Sequence, residues 1–134
     1  MSERRPVAGI GVVCIRGDEV LLIRRGKPPR LDEWSLPGGR LEWGETAHAG
    51  ALRELKEETG VEAEIVGLVD VVDFIAEDTH YVLVDYAARW VAGEPVAGDD
   101  ARDARFFPLR EVPSLRLWSQ TERVIRDAAA IVCA

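Results

Sequence analysis

The stretch from Thr46 to Val61 constrains this chain more than any other, because it reads as a helix yet carries negative charge where a helix least tolerates it. Thr46 is placed to cap a helix over Ala47–Thr59, and Gly60 is the expected left-handed stop. At about 100° per residue, Glu54, Glu57 and Glu58 fall within roughly a 100° arc, so three carboxylates share one stripe. Like charges at such spacings cost about 0.2–0.5 kcal/mol per pair, and only Arg53 and Lys56 lie nearby to offset them. Glu57 and Glu58 also stand in the last turn, where the helix dipole disfavours anions. A hard divalent cation bound by oxygens, Mg²⁺ or Mn²⁺, would offset both costs. The apolar stripe His48, Leu52, Leu55 and Thr59, spaced at i, i+4, i+7 and i+11, is expected to pack on the core, away from the acids.

The helix follows the glycine-rich turn Leu36-Pro37-Gly38-Gly39, with a short strand expected at Arg40–Glu42. Upstream, the β-branched run from Val7 to Ile15 turns at Arg16-Gly17-Asp18-Glu19 into Val20–Arg25, which reads as a hairpin. A proline loop over Gly26–Glu33 leads to Trp34-Ser35-Leu36, in the kind of position that borders clefts. Downstream, Glu64–Ile75 and Tyr81–Val91 read as antiparallel strands about the turn Ala76–His80. A loop over Gly93–Asp103 then precedes a short strand at Arg105-Phe106-Phe107. Ser119-Gln120-Thr121-Glu122 matches a capping box for a helix whose apolar face is Val124, Ile125, Ala128, Ile131 and Val132. One domain over residues 1–134 is expected, without repeats or linkers.

The net charge of −7 provides no basic field for a polymeric nucleic acid, whereas local arginines and a bound cation can still accept a small anion. Cys14 sits in an apolar run as a small hydrophobe and Cys133 is penultimate, so neither a zinc site nor a disulfide is indicated. A charged N-terminus without a membrane-length span gives the expectation of a soluble, cytoplasmic protein with no membrane partner.

The positions Gly39, Glu45, Arg53, Glu54, Leu55, Glu57, Glu58, Gly60 and Val61 form G-x5-E-x7-R-E-U-x-E-E-x-G-U, where U is apolar. This resembles the signature of the Nudix hydrolase family at every defined position. Trp34-x-Leu36-Pro37-Gly38 and the order of elements extend the likeness over most of the chain. The resemblance implies an α/β fold, an α/β/α sandwich around a mixed β-sheet. It further implies Mg²⁺- or Mn²⁺-dependent hydrolysis of a nucleoside diphosphate linked to another moiety. Carried over residue by residue, it makes Glu54, Glu57 and Glu58 metal ligands, with the Gly39 carbonyl as a further one. Arg53 would orient Glu54, and Glu45 would support the loop or the metal's surroundings. The base would be Glu54, the favoured choice, or a loop acid among Asp99, Asp100 and Asp103. The chemistry agrees: a cation that neutralises the diphosphate and acidifies water answers the two obstacles to hydrolysis.

Arg24 and Arg25, at a strand end beside the proline loop, are candidate phosphate contacts, since guanidinium groups match phosphate oxygens bidentately. Asp103 is the preferred acid for a cleft contact. Trp34, Trp43, Phe74 and Trp90 are the aromatic residues weighed for base stacking, with Trp43 and Trp34 ahead, and His48 and His80 are given no role. Element order and the stretch from Gly93 to Phe107 resemble bacterial ADP-ribose pyrophosphatases, among which homodimers are typical, so ADP-ribose or a nucleotide sugar is the first substrate expected. An ADP-ribose-type proline shortly after the motif is missing, as no proline occurs between Pro37 and Pro95. Tyr81 is only an approximate match to the tyrosine of dinucleoside polyphosphate hydrolases. The alternatives are a pyrophosphohydrolase of oxidised or surplus nucleoside triphosphates and, from another class, a non-catalytic nucleotide-sensing domain.

Overall fold

The apolar run from Val7 becomes the strand on which everything else is arranged. The computed structural model describes residues 4–28 and 30–134. Met1–Glu3 and Pro29 lie outside the described residues, and with them the reading of the extreme N-terminus and the second proline of the Gly26–Glu33 loop. Strands β1 (Val7–Arg16) and β2 (Glu19–Arg25) begin as the expected hairpin, with Ile15 opposite Val20 and Arg16 opposite Glu19. They then splay apart, and the following chain fills the wedge. Strand β3 (Trp34–Ser35) pairs antiparallel with β2, and β4 (Gly38–Arg40) pairs antiparallel with β1, setting Gly39 opposite Ile10 and Gly38 opposite Gly11. Between the two, the Val12 N–H donates to the Pro37 carbonyl at 3.0 Å. The strand expected at Arg40–Glu42 therefore lies two residues earlier, because the glycines themselves supply its pairing to β1.

On its other edge β1 pairs in parallel with β6 (Thr79–Ala92), and β6 pairs antiparallel with β5 (Glu62–Ala76). The turn between β5 and β6 is tighter than expected: His80 belongs to β6, opposite Ile75. Strand β7 (Ala101–Pro108) runs along β2 and is longer than Arg105–Phe107, because ladder pairing with β2 extends to Ala101. Asp103 consequently stands in a strand, opposite Arg24, and not in the preceding loop.

Alternation along β1 builds two cores. Ile10, Val12 and Cys14 pack with Ala51 and Leu55 of helix α1 (Ala47–Thr59). Val13 and Ile15 face the other way, onto Val124, Ile125 and Ala128 of helix α2 (Ser119–Val132). A mixed sheet thus lies between two helices as an α/β/α sandwich, and a 3-10 helix, Leu109–Leu115, leads from β7 toward α2. The α2 face packs as the apolar pattern anticipates, but Ser119 is its first helical residue and makes no capping bond; Trp118 occupies the cap position. Among the described residues, no helix is long and apolar enough to cross a membrane.

Helix α1 starts at Thr46, whose Oγ1 accepts the Ala49 N–H at 3.1 Å, and ends at Gly60 with φ of 72°. Its packed face differs from the expected stripe. Gly50, Ala51, Leu55, Glu58 and Thr59 are buried, whereas His48 and Leu52 are exposed, His48 touching Tyr86 edge to face at 4.7 Å. Gly50 leaves no room for a β-carbon against Ile10, Glu45 and Leu41, so the helix lies close to the sheet there, and Glu58 is buried on the same side.

Candidate active site

The wedge between β1 and β2 opens a cleft of about 570 Å³ that reaches from α1 to the α2 side of the sheet. Glu54 and Glu58 line it, together with Gly38, Gly39, Arg25, Asp99 and Asp100. Glu58 is 8% exposed, and its Oε1 accepts the Gly38 N–H at 2.8 Å, which ties the helix to the glycine turn. Glu54 lies so close over Gly39 that a β-carbon there would run into its carboxylate.

Arg53 organises the acids. Its Nε and Nη2 donate to both oxygens of Glu45, at 2.9 and 2.6 Å, while Nη1 donates to Glu54 at 2.9 Å and to Glu57 at 3.1 Å. Nη2 also reaches the Arg40 carbonyl at 3.1 Å, and Glu45 accepts the Glu42 N–H at 2.8 Å. Arg53 is raised further above its usual basicity, first by the bond to Glu45, and that same bond holds the Glu45 carboxyl down at about 2.

The two cleft glutamates move the opposite way. Burial raises the pKa of Glu54, with Glu57 and Asp99 adding repulsion against the pull of Arg53. Burial likewise pushes Glu58 up to about 7, opposed by the Gly38 N–H and Arg25 and reinforced by Glu54 and Asp99. Negative charge is thus concentrated beyond what the local cations neutralise, and the donors are all oxygens, which fits a hard divalent ion. Among the described residues no three acid or histidine side chains close into a cage. Glu57 is turned onto Arg53 at 3.1 Å. An incomplete cage suits an ion of the Mg²⁺ type, which uses one or two carboxylates and takes its other oxygens from water and phosphate.

Asp99 arrives from an unexpected direction. The Val96 and Gly98 N–H groups donate to the Thr59 and Glu58 carbonyls, both at 2.9 Å, satisfying acceptors at the end of α1 and sewing the loop onto the helix. Asp99 (φ 48°) follows at once, close enough to act on both Glu54 and Glu58. Asp100 pairs with Lys27 at 2.7 Å. Asp103 is bound to Arg105 at 2.6 Å, which holds its carboxyl low, and it does not line the cleft. Arg25 lines the cleft; Arg24 does not, donating instead to the Asp32 carbonyl at 3.3 Å. Of the aromatic residues, Trp34 and Phe74 line the cleft, Trp43 is fully exposed, and Trp90 packs under Arg16. Two residues that sequence reasoning missed, Asp85 and Trp118, also line it. An acid inside a strand gives no signal of facing inward.

The NUDIX domain family model matches residues 5–128. This chain is a Nudix hydrolase. It is 33% identical to "ADP-ribose pyrophosphatase" of Methanocaldococcus jannaschii, over 91% of this chain and 72% of that protein. It is 36% identical to "Putative 8-oxo-dGTP diphosphatase 2" of Mycobacterium tuberculosis, over 98% of this chain and 97% of the relative. Among solved structures, a MutT NUDIX hydrolase from Burkholderia pseudomallei superposes with a TM-score of 0.83 at 31% identity, covering 92% of this chain and 98% of that one. The NUDIX domain of Shewanella oneidensis NrtR, solved with ADP ribose, shares the fold with a TM-score of 0.84 at 23% identity, over 97% and 90% of the two chains. Nudix hydrolases generally need divalent metal ions, and this one is a pyrophosphohydrolase.

Proposed function

We propose that this Nudix hydrolase cleaves the diphosphate bond of a nucleoside diphosphate linked to a second moiety, with ADP-ribose or a nucleotide sugar as substrate and Mg²⁺ or Mn²⁺ as the ion. The observation that carries the reading is the Arg53 clamp: one guanidinium holds Glu45, Glu54 and Glu57 in register beside the buried Glu58. Glu54, Glu58 and the Gly39 carbonyl would hold the ion, joined by Glu57 once it leaves Arg53, and the bound ion would supply charge neutralisation at the phosphate oxygens. Arg53 keeps the Glu54 carboxylate aimed at the glycine turn, and Glu54 takes the proton of the attacking water. Arg25, on the cleft wall, offers a cation to a phosphate oxygen. ADP-ribose is placed first because the M. jannaschii relative bears that name.

A second reading, release of pyrophosphate from an oxidised nucleoside triphosphate, is favoured by the M. tuberculosis relative, which aligns over nearly its whole length. The deciding experiment couples phosphate release to a phosphatase over ADP-ribose, nucleotide sugars, dinucleoside polyphosphates and modified triphosphates with Mg²⁺, for wild type and Glu57→Gln. Strong turnover of ADP-ribose or a nucleotide sugar, lost in the variant, is expected. Preference for 8-oxo-dGTP would replace the first reading by the second.

A further inference from the structure

Asp85 lies in β6 with its side chain on the α2 side of the sheet, as do Leu83 and Ala87 two residues to either side. It is 6% exposed and lines the cleft, and among the described residues no hydrogen-bond donor meets its carboxylate. On the adjacent strand a β-carbon on Gly11 would collide with Asp85 Oδ1, so a glycine leaves that oxygen its space. The cation nearest in charge is committed elsewhere: Arg123 pairs with Asp70 at 2.9 Å and donates twice to Gln120, at 2.8 and 3.0 Å. Burial, reinforced by Asp70 and opposed by Arg123, pushes the Asp85 carboxyl up to about 6. The carboxylate oxygens are open to the cleft, and an acceptor on a largely buried residue that no protein donor meets is explained by a ligand that supplies the donor.

The surrounding walls indicate which donor. Trp34, Phe74 and Trp118 line the cleft, with Phe74 and Trp118 edge to face at 5.3 Å. Flat aromatic walls suit a flat heterocycle better than a sugar. The acidic end of the same cleft, at Glu54 and Glu58, is left for the diphosphate.

We propose that Asp85 is the specificity-determining residue of this cleft, accepting a hydrogen bond from the amino group of a purine base held among Trp34, Phe74 and Trp118. The assignment rests on the reading of the substrate as an adenosine diphosphate derivative. A base lacking the amino group leaves Asp85 buried without a donor, so the enzyme rejects it.

The test compares kcat/KM for ADP-ribose and for its analogue carrying unsubstituted purine, in wild type, Asp85→Ala and Asp85→Asn. Wild type is expected to favour the amino base by about 10- to 100-fold. Asp85→Ala abolishes the preference, and Asp85→Asn, which keeps a neutral acceptor, retains part of it. A wild type indifferent to the amino group, or an Asp85→Ala variant that discriminates as wild type does, overturns the assignment. If wild type leaves ADP-ribose intact, the substrate reading fails separately. The same comparison is then made on nucleoside triphosphates with and without the base amino group, where an Asp85-dependent preference supports the assignment and its absence overturns it.

Discussion

A β-carbon on Gly39 would stand 2.7 Å from the carboxylate carbon and from both oxygens of Glu54. Glycine is required there for space, because β4 pairs Gly39 with Ile10 of β1 while α1 brings Glu54 down onto the same spot. Gly39→Ala must displace either the strand or the carboxylate. Overpacking of this kind costs about 1–3 kcal/mol in stability. Since a side chain yields more easily than a paired strand, Glu54 is expected to shift, and activity to fall about 10- to 100-fold with a smaller change in melting temperature. Full activity with Ala at this position would show that Glu54 need not sit against the turn.

Arg53 binds both oxygens of Glu45 while reaching Glu54 and Glu57 with another nitrogen. An ammonium group cannot reproduce that fork, so Arg53→Lys is a severe change despite the retained charge. On the proposed role of Arg53 in orienting the ion's ligands, activity is expected to drop about 10- to 100-fold, and Mn²⁺ affinity by calorimetry should weaken in parallel. An unchanged Mn²⁺ affinity beside lost activity would remove Arg53 from ligand positioning.

Cys14 is fully buried against α1, and burial pushes its thiol up to about 12, with only Arg16 pulling it down. Thiolate is the reactive form, so Cys14 should be inert in the native protein, while exposed Cys133 reacts. Titration with a disulfide reagent should find one thiol in native protein and two in denaturant. Rapid modification of Cys14 under native conditions would mean that α1 opens readily from the sheet.

Helix α1, its Thr46 cap and its Gly60 stop were legible because each depends on residues within a few positions of one another. The Arg53 cluster was legible for the same reason: its acids recur along a helix and its leading loop. The parallel pairing of β1 with β6 and the splaying of β1 from β2 were not, since both depend on contacts distant in sequence. The stripe of His48 and Leu52 misled because apolar spacing does not register that Gly50 and Ala51 permit closer packing. Asp99 rather than Asp103 reaches the glutamates because loop N–H groups satisfy the carbonyls ending α1, a fact of tertiary bonding. Asp85 was hidden because an acid between apolar strand residues looks solvent-facing until the glycine beside it is seen across the sheet.

Asp85 also gives the protein a defined response to acid. Its carboxyl titrates near 6 when folded, against about 3.9 in an unfolded chain. Above both values the fold carries a penalty on the order of 2–3 kcal/mol; the penalty fades as pH falls through 6 and is gone below about 4. Asp103 and Glu45, held low by Arg105 and Arg53, act in the reverse sense and lose their stabilisation as pH falls through their lowered values. The difference between wild type and Asp85→Asn isolates the single group. At pH 7.5 the variant should be more stable to urea by about 1–2 kcal/mol, the buried amide retaining part of the cost. By pH 4.5 the gap should close, because only about 1 kcal/mol of the penalty then remains, comparable to the cost of the buried amide in the variant. A gap that stays constant or widens in acid would mean that burial does not hold this carboxyl neutral.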